Sequence, residues 1–301
     1  PDLSQKNKEK LQELIHFWDE ENTISKCKAA FPDEMQEALP SDDYFNESGI
    51  AFTLWRMSGS QLDYGKLIEL GIPGLKKRIK NKSKSSNKKS QKLYNAMLIA
   101  LDILADVCIY YAAMAKRRIN KTNSSKRRTE LLKLEKCLRN IAKSRPETFY
   151  EGLQLMYLYN NLSGSLNYGR IDDYLGDLYV KDIAKGRLTK EEAIGLLSSL
   201  WQIMEDRGWR YDQRMIIGGK GRKNEANADR LAMAIMETSR RVKGIVPQLA
   251  FRFYNEQNPE LYQKALDVLG EGYTYPMLYN DDVNIPAVME AFEVPQEEAI
   301  H

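Results

Sequence analysis

The side chains able to do bond chemistry are few and scattered. Cys27, Cys108 and Cys137 are the only cysteines, an odd number at wide spacing that fits neither a disulfide framework nor a zinc site. Cys108 and Cys137 fall on apolar helical faces and read as packed core thiols. The only histidines are His16 and His301, far apart in the chain, and no metal site is expected. What remains suits holding a molecule better than attacking one. In the loop Ser163-Gly164-Ser165-Leu166-Asn167-Tyr168-Gly169-Arg170, a serine among glycines is ordinarily turn chemistry. Arg252 alternates with Phe251 and Phe253 in a strand-like segment. Its guanidinium can grip a carboxylate of a ligand with two parallel hydrogen bonds, or make a structural ion pair; the residue types allow both.

The elements that must position these groups are mostly helical. Ile171, Tyr174, Leu175, Leu178, Tyr179 and Ile183 recur at steps of three and four, one face of an amphipathic helix ended by Gly186. A second helix starts at Leu188-Thr189-Lys190-Glu191-Glu192, with Thr189 as N-cap and Glu192 as its capping-box partner. Similar spacing predicts helices over 6–22, 31–38, 93–118, 128–143, 149–162, 227–243 and 259–271, with a turn at 40–43. The helix over 93–118 has the look of a buried strut, and that over 149–162 is apolar on all sides. Strand character is confined to 214–217, 248–254 and 273–278, each bounded by Gly, Pro or Asn. Strands separated by helices favour an α/β barrel-like arrangement.

Bulk properties exclude little. The chain has 301 residues, 43% hydrophobic and 29% charged, an ordinary globular balance, and its net charge of +3 gives no reason to expect nucleic acid. Residues 76–92 (KKRIKNKSKSSNKKSQK) are basic and poor in apolar side chains. They read as a flexible solvated connector, with electrostatic contact to an acidic partner as the alternative. No apolar run is expected to reach the ~20 residues that span a bilayer, and the N-terminus lacks the core of a signal peptide, so the expected compartment is the cytoplasm. The chain begins without Met and ends inside what reads as a helix after Pro295, which predicts a fragment of a longer polypeptide.

Five ordered strings resemble the glycyl-radical enzyme family of pyruvate formate-lyase and the glycerol, diol and choline lyases. Tyr168 to Ala193 resembles its G-R-[FI]-D-x-Y-L turn followed by Y-x-K-D-[IL]-x-x-G-[RK]-[LI]-[TS]-x-E-E-A. Pro146 to Gln154 is similar to P-x-T-F-x-E-A-L-Q, and Tyr279 to Ala287 to F-N-D-E-x-[IV]-[IV]-P-A. Asp63 to Leu75 and Pro247 to Arg252 resemble two further family strings.

The resemblance implies an α/β fold: an N-terminal helical periphery and the first half of a ten-stranded β/α barrel, with 1–301 the N-terminal part of one large domain. It implies a lyase that cleaves C–C or C–heteroatom bonds of a small organic substrate by thiyl-radical hydrogen abstraction. The glycyl radical would be installed by a radical-SAM activase, in a homodimer of anaerobic metabolism. The radical cysteine and glycine would lie beyond His301, so no catalytic residue is expected within this chain, which binds no cofactor of its own. Ser165 aligns with a hydroxyl that faces substrate oxygen, with Asn167 beside it; Arg252 would face the pocket, and Asn280 and Asp281 would brace the missing cysteine loop. The string 57–64 lacks the histidine of the glycerol and propanediol dehydratases, Tyr168 stands where small residues are common, and Leu175-Gly176-Asp177 departs from the family's usual turn. A standard diol dehydratase is therefore not expected. The competing readings are a helix-rich scaffold that contacts acidic partners through 76–92, and a family member without radical chemistry.

Overall fold

A computed structural model describes residues 4–30, 32–34, 61–207 and 213–300. The turn at 40–43, the string 57–60, most of the helix over 31–38, the Cys27 side chain and His301 lie outside the described residues. Two compact units divide the chain at residue 60. In the first, α1 (Gln5–Glu21) and α2 (Thr23–Ala30) are helical. Leu11, Leu14, Ile15 and Trp18 of α1 are exposed.

The second unit opens with four helices, α3 (Tyr64–Ser83), α4 (Lys88–Ile119), α5 (Ser125–Ile141) and α6 (Phe149–Ser163). There follow β1 (Asn167–Arg170), α7 (Ile171–Ala184), α8 (Lys190–Asp206), β2 (Arg214–Gly218), α9 (Glu225–Val242), β3 (Gln248–Phe253), α10 (Pro259–Gly270), β4 (Met277–Asn280), α11 (Asp281–Phe292) and α12 (Gln296–Ala299). Both capping boxes form as threonine and glutamate at N-cap and N3 dictate, Thr189 with Glu192 and Thr148 with Glu151. The strands make one four-stranded sheet in the order β1-β2-β3-β4, every pair parallel. Each crossover between strands is helical, as parallel pairing requires.

Period two sorts the sheet's faces. Met215, Ile217, Leu249 and Phe251 are fully buried on one. Helices α7 and α9 lie against β2, while Tyr262 of α10 packs on Phe251 and Phe253 at ring distances of 6.5 and 4.9 Å. The opposite face presents Arg214, Ile216, Ala250, Arg252, Met277 and Tyr279, which line a cavity of about 470 Å³ together with α11 and α12.

Three expectations are corrected. Residues 76–92 are no connector: they form the end of α3, a short turn, and the start of α4 capped by Asn87. Lysine is a good helix former, and the Lys76–Asp102 ion pair ties the two arms. Helix α4 is no buried strut. Leu101, Leu104, Cys108 and Ala112 face α3, α5 and α6, whereas Leu93, Met97, Ile99, Ile103 and Tyr110 are exposed. By length and composition α4 also reaches what a membrane crossing needs, with 22% of that apolar window buried. β1 has no strand signature in its four residues, and β4 lies later than the expected 273–278.

Helices α7 and α9 approach closely because Gly176 carries no side chain: a Cβ there would stand 3.0 Å from the backbone of Ala228. Gly176→Val should lower stability by about 1–3 kcal/mol through this overpacking. Urea unfolding of the variant measures it, and an unchanged midpoint would contradict the close packing.

Candidate functional site

The carboxyl ends of β1, β2 and β3 meet at a glycine turn. Gly218 and Gly219 have φ of 74° and 84°, a region that L side chains rarely adopt. Added Cβ atoms would also collide with the Arg252 carbonyl at Gly218 and with Asp281 Oδ2 at Gly219. The turn leaves carbonyls pointing inward, and Arg170 Nη2 donates to three of them: Gly218 O at 3.0 Å, Gly219 O at 3.1 Å and Lys220 O at 2.8 Å. Burial, and next the nearby Arg252 charge, lower the Arg170 pKa from its usual value; a guanidinium remains cationic regardless.

In the first turn of α7, Asp172 Oδ2 accepts from the Gly218 amide at 2.8 Å and from Arg222 Nη1 at 3.1 Å. Both side chains of that ion pair are fully buried. Arg222 also donates to Asp229 Oδ1 at 2.7 Å and to Gly219 O at 3.0 Å. Burial is the largest influence on Arg222 and opposes its charge, yet two carboxylates together raise its pKa. Burial is also the largest influence on Asp172 and pushes its carboxyl up to about 6 despite Arg222 and the Gly218 amide. The pair therefore favours charge on the arginine while the aspartate still bears a net burial cost, because Arg222 divides one charge between two partners.

The network continues to the end of the described chain. Asp281, itself buried, accepts from Arg252 Nε at 2.7 Å and Nη2 at 3.0 Å, and its Oδ2 also accepts from the Lys220 amide at 2.8 Å. Arg252 Nη2 donates further to Ile300 O at 3.1 Å. Asn280 Oδ1 caps α11 through the Asp282 amide at 2.9 Å.

Ser165 and Asn167 occupy the other end of the sheet. Asn167 pairs with Arg214, which pairs with Gln248, whereas Arg252 pairs with Gly218 and Tyr279. Four residue steps thus separate the two levels, roughly 13 Å along the strands. Ser165 Oγ donates to Asn167 O at 3.3 Å, and the Ser165 amide donates to Ser163 Oγ at 3.2 Å, the hydrogen bonding of a serine turn. The Tyr64 hydroxyl also donates to Asn167 O at 3.0 Å and accepts from Asn160 at 2.7 Å. Burial raises its pKa to about 12. Tyr64 stacks on Tyr174 and Tyr168 at 5.3 and 6.5 Å.

The site candidates therefore divide. Arg252, Asp281 and Asn280 come together at the carboxyl ends of the strands, and Ser165 pairs with Asn167 at the amino end. Arg252 lines the 470 Å³ cavity, whose lining does not include Ser165. Of the two readings open for Arg252, the fold realises the ion pair. Among the described residues no cluster of His, Cys, Asp or Glu could hold a metal ion. Cys108 and Cys137 are buried, and burial raises the Cys108 thiol to about 12 and the Cys137 thiol further. Asp172 and Arg222 were not anticipated.

The family model described as pyruvate formate lyase-like matches residues 2–300. The chain belongs to this family. Among the relatives of this pyruvate formate lyase-like chain, the probable dehydratase YbiW of Escherichia coli (strain K12) is 24% identical over 98% of the chain and 40% of its own length. The (2S)-3-sulfopropanediol dehydratase of Klebsiella oxytoca is 26% identical over 75% of the chain and 30% of its own. The glycerol-bound B12-independent glycerol dehydratase from Clostridium butyricum superposes with a TM-score of 0.78, 23% identity, over 99% of the chain and 40% of that structure. The fold is thus that of glycyl-radical enzyme structures, and the chain spans less than half the length of these relatives.

The Asp172 carboxyl sets a pH dependence. Between its ordinary value of 3.8 and about 6, the folded chain keeps a proton that the unfolded chain releases. The stability linked to this retained proton is therefore fully present below 3.8 and is lost as pH rises through about 6, whereas the bonds to Gly218 and Arg222 remain. Urea midpoints should show wild type losing its advantage over Asp172→Asn as pH rises across that window; a flat or widening difference would contradict the assignment.

Proposed function

We propose that this chain is the N-terminal part of a glycyl-radical lyase that acts on a small organic substrate. The observation that carries the reading is the family match along nearly the whole chain, joined to a parallel sheet with one face under helices and the other lining a cavity. In such enzymes a radical stored on a backbone glycine and relayed through a cysteine thiol supplies hydrogen abstraction. The proposed contribution of this chain is the first half of a ten-stranded barrel wall around the substrate. Ile216, Ala250, Met277 and Tyr279 would exclude water, Ser165 and Asn167 remain the candidate polar contacts to substrate, and Arg252 reaches the cavity with its charge already matched by Asp281. The proposed setting is a cytoplasmic homodimer served by a radical-SAM activase. The absence of a histidine in 57–64 favours a substrate other than glycerol or propanediol.

Turnover needs both radical-carrying loops, and neither thiol among the described side chains can substitute: Cys108 and Cys137 are buried with raised pKa values, and reaction demands close alignment. Anaerobic electron paramagnetic resonance after treatment with an activase and S-adenosylmethionine should give a glycyl doublet in a polypeptide of the relatives' full length, and neither doublet nor product from residues 1–301 alone. A doublet or product from 1–301, or none from the longer chain, would overturn the proposal.

A further inference from the structure

We infer that Arg252 is a positioning residue, locked by Asp281, whose task is to fix the backbone at Ile300 and so the segment that follows it. The inference rests on the function proposed above, in which that following segment carries the relay thiol. Three observations support it. Both Asp281 oxygens face Arg252, and one also accepts the Lys220 amide, so the guanidinium is neutralised and aimed before any ligand arrives. Arg252 Nη2 also donates to the Ile300 carbonyl at 3.1 Å. The Ile300 side chain has a seat of its own: a Cβ on Gly221, whose φ is 77°, would stand 2.4 Å from Ile300 Cγ2. Ile300 is therefore held at two points, its carbonyl by Arg252 and its side chain over Gly221.

The latch matters because this stretch, although α12 packs on α11, has little side-chain burial. Helix α12 has four residues and none is buried, and Phe292 to Gln296 are almost all exposed. A segment without buried contacts opens locally at small free-energy cost. The same glycine turn that Arg170 clamps provides the seat at Gly221, so the position of Ile300 is tied to the buried end of the sheet.

Two variants separate this role from direct substrate binding. Arg252→Lys keeps a charge for Asp281 but presents a single ammonium in place of the guanidinium fork. Ile300→Ala empties the seat over Gly221 and leaves the ion pair untouched. In residues 1–301, both should raise amide hydrogen exchange over 294–300 by about tenfold while α11 stays protected. In the full-length protein, both should leave the glycyl doublet intact and the KM unchanged, and lower kcat by about 10²-fold, the effect of an ångström-scale misplacement. Exchange that does not change, a KM that rises while kcat is kept, or loss of the doublet together with kcat would each overturn the inference. Should the wild-type full-length chain give no doublet, the proposed function fails, while the exchange measurement still tests the latch.

Discussion

A buried aspartate facing two arginines holds the carboxyl end of this sheet together. Asp172 accepts from Gly218 and Arg222, Arg170 satisfies three carbonyls of the adjoining turn, and all three side chains are buried. Charges out of water are tolerated only where partners and hydrogen bonds surround them. Once β1 delivers Arg170 and the start of α7 delivers Asp172, the turn after β2 is pinned by its three carbonyls and the Gly218 amide. That turn in turn fixes Asp281 through the Lys220 amide, and Asp281 fixes Arg252. The Gly-Arg-Ile-Asp string that made the chain recognisable thus acts here as a lock between two βα junctions, and its polar groups are spent on the protein's own backbone.

This lock separates the duties of the sheet's two faces. The outer face is dry, with Met215, Ile217, Leu249 and Phe251 under α7, α9 and α10, and it contributes the hydrophobic share of stability. The inner face is left for a cavity with two arginines, a tyrosine and apolar wall residues. On that face the charge of Arg252 is matched by Asp281 before a ligand could engage it. That accounts for its having features of both a pocket residue and a structural one.

Much of the scaffold was legible because its signals are local. Thr189 with Glu192 announces a helix start within four residues, and the alternation of Phe251, Arg252 and Phe253 puts the arginine and the two rings on opposite faces of the sheet. The basic stretch 76–92 was misread because Lys, Ser and Asn suit a solvated connector as well as an exposed helical hairpin; only the packing of α3 on α4 decides between them. β1 went unread because four residues that include a glycine carry no alternation. The partners within the site were hidden for a different reason. Asp172 and Arg222 are 50 residues apart, and Arg252 and Asp281 are 29 apart, so each pair exists only after the strands are in register. A lone arginine in the turn Gly218 to Lys223 has no periodicity that could nominate it.

The lock can be measured by a double-mutant cycle on Asp172→Ala and Arg222→Met, read by urea unfolding of this chain at neutral pH. Removing Arg222 leaves the buried Asp172 with the Gly218 amide, and removing Asp172 leaves Arg222 with Asp229, so each loss should cost about 3 kcal/mol. Removing both should cost little more than one, giving a coupling of about 2 kcal/mol or more. If the two losses instead add to within about 0.5 kcal/mol, the buried pair is not what joins the two halves of the site.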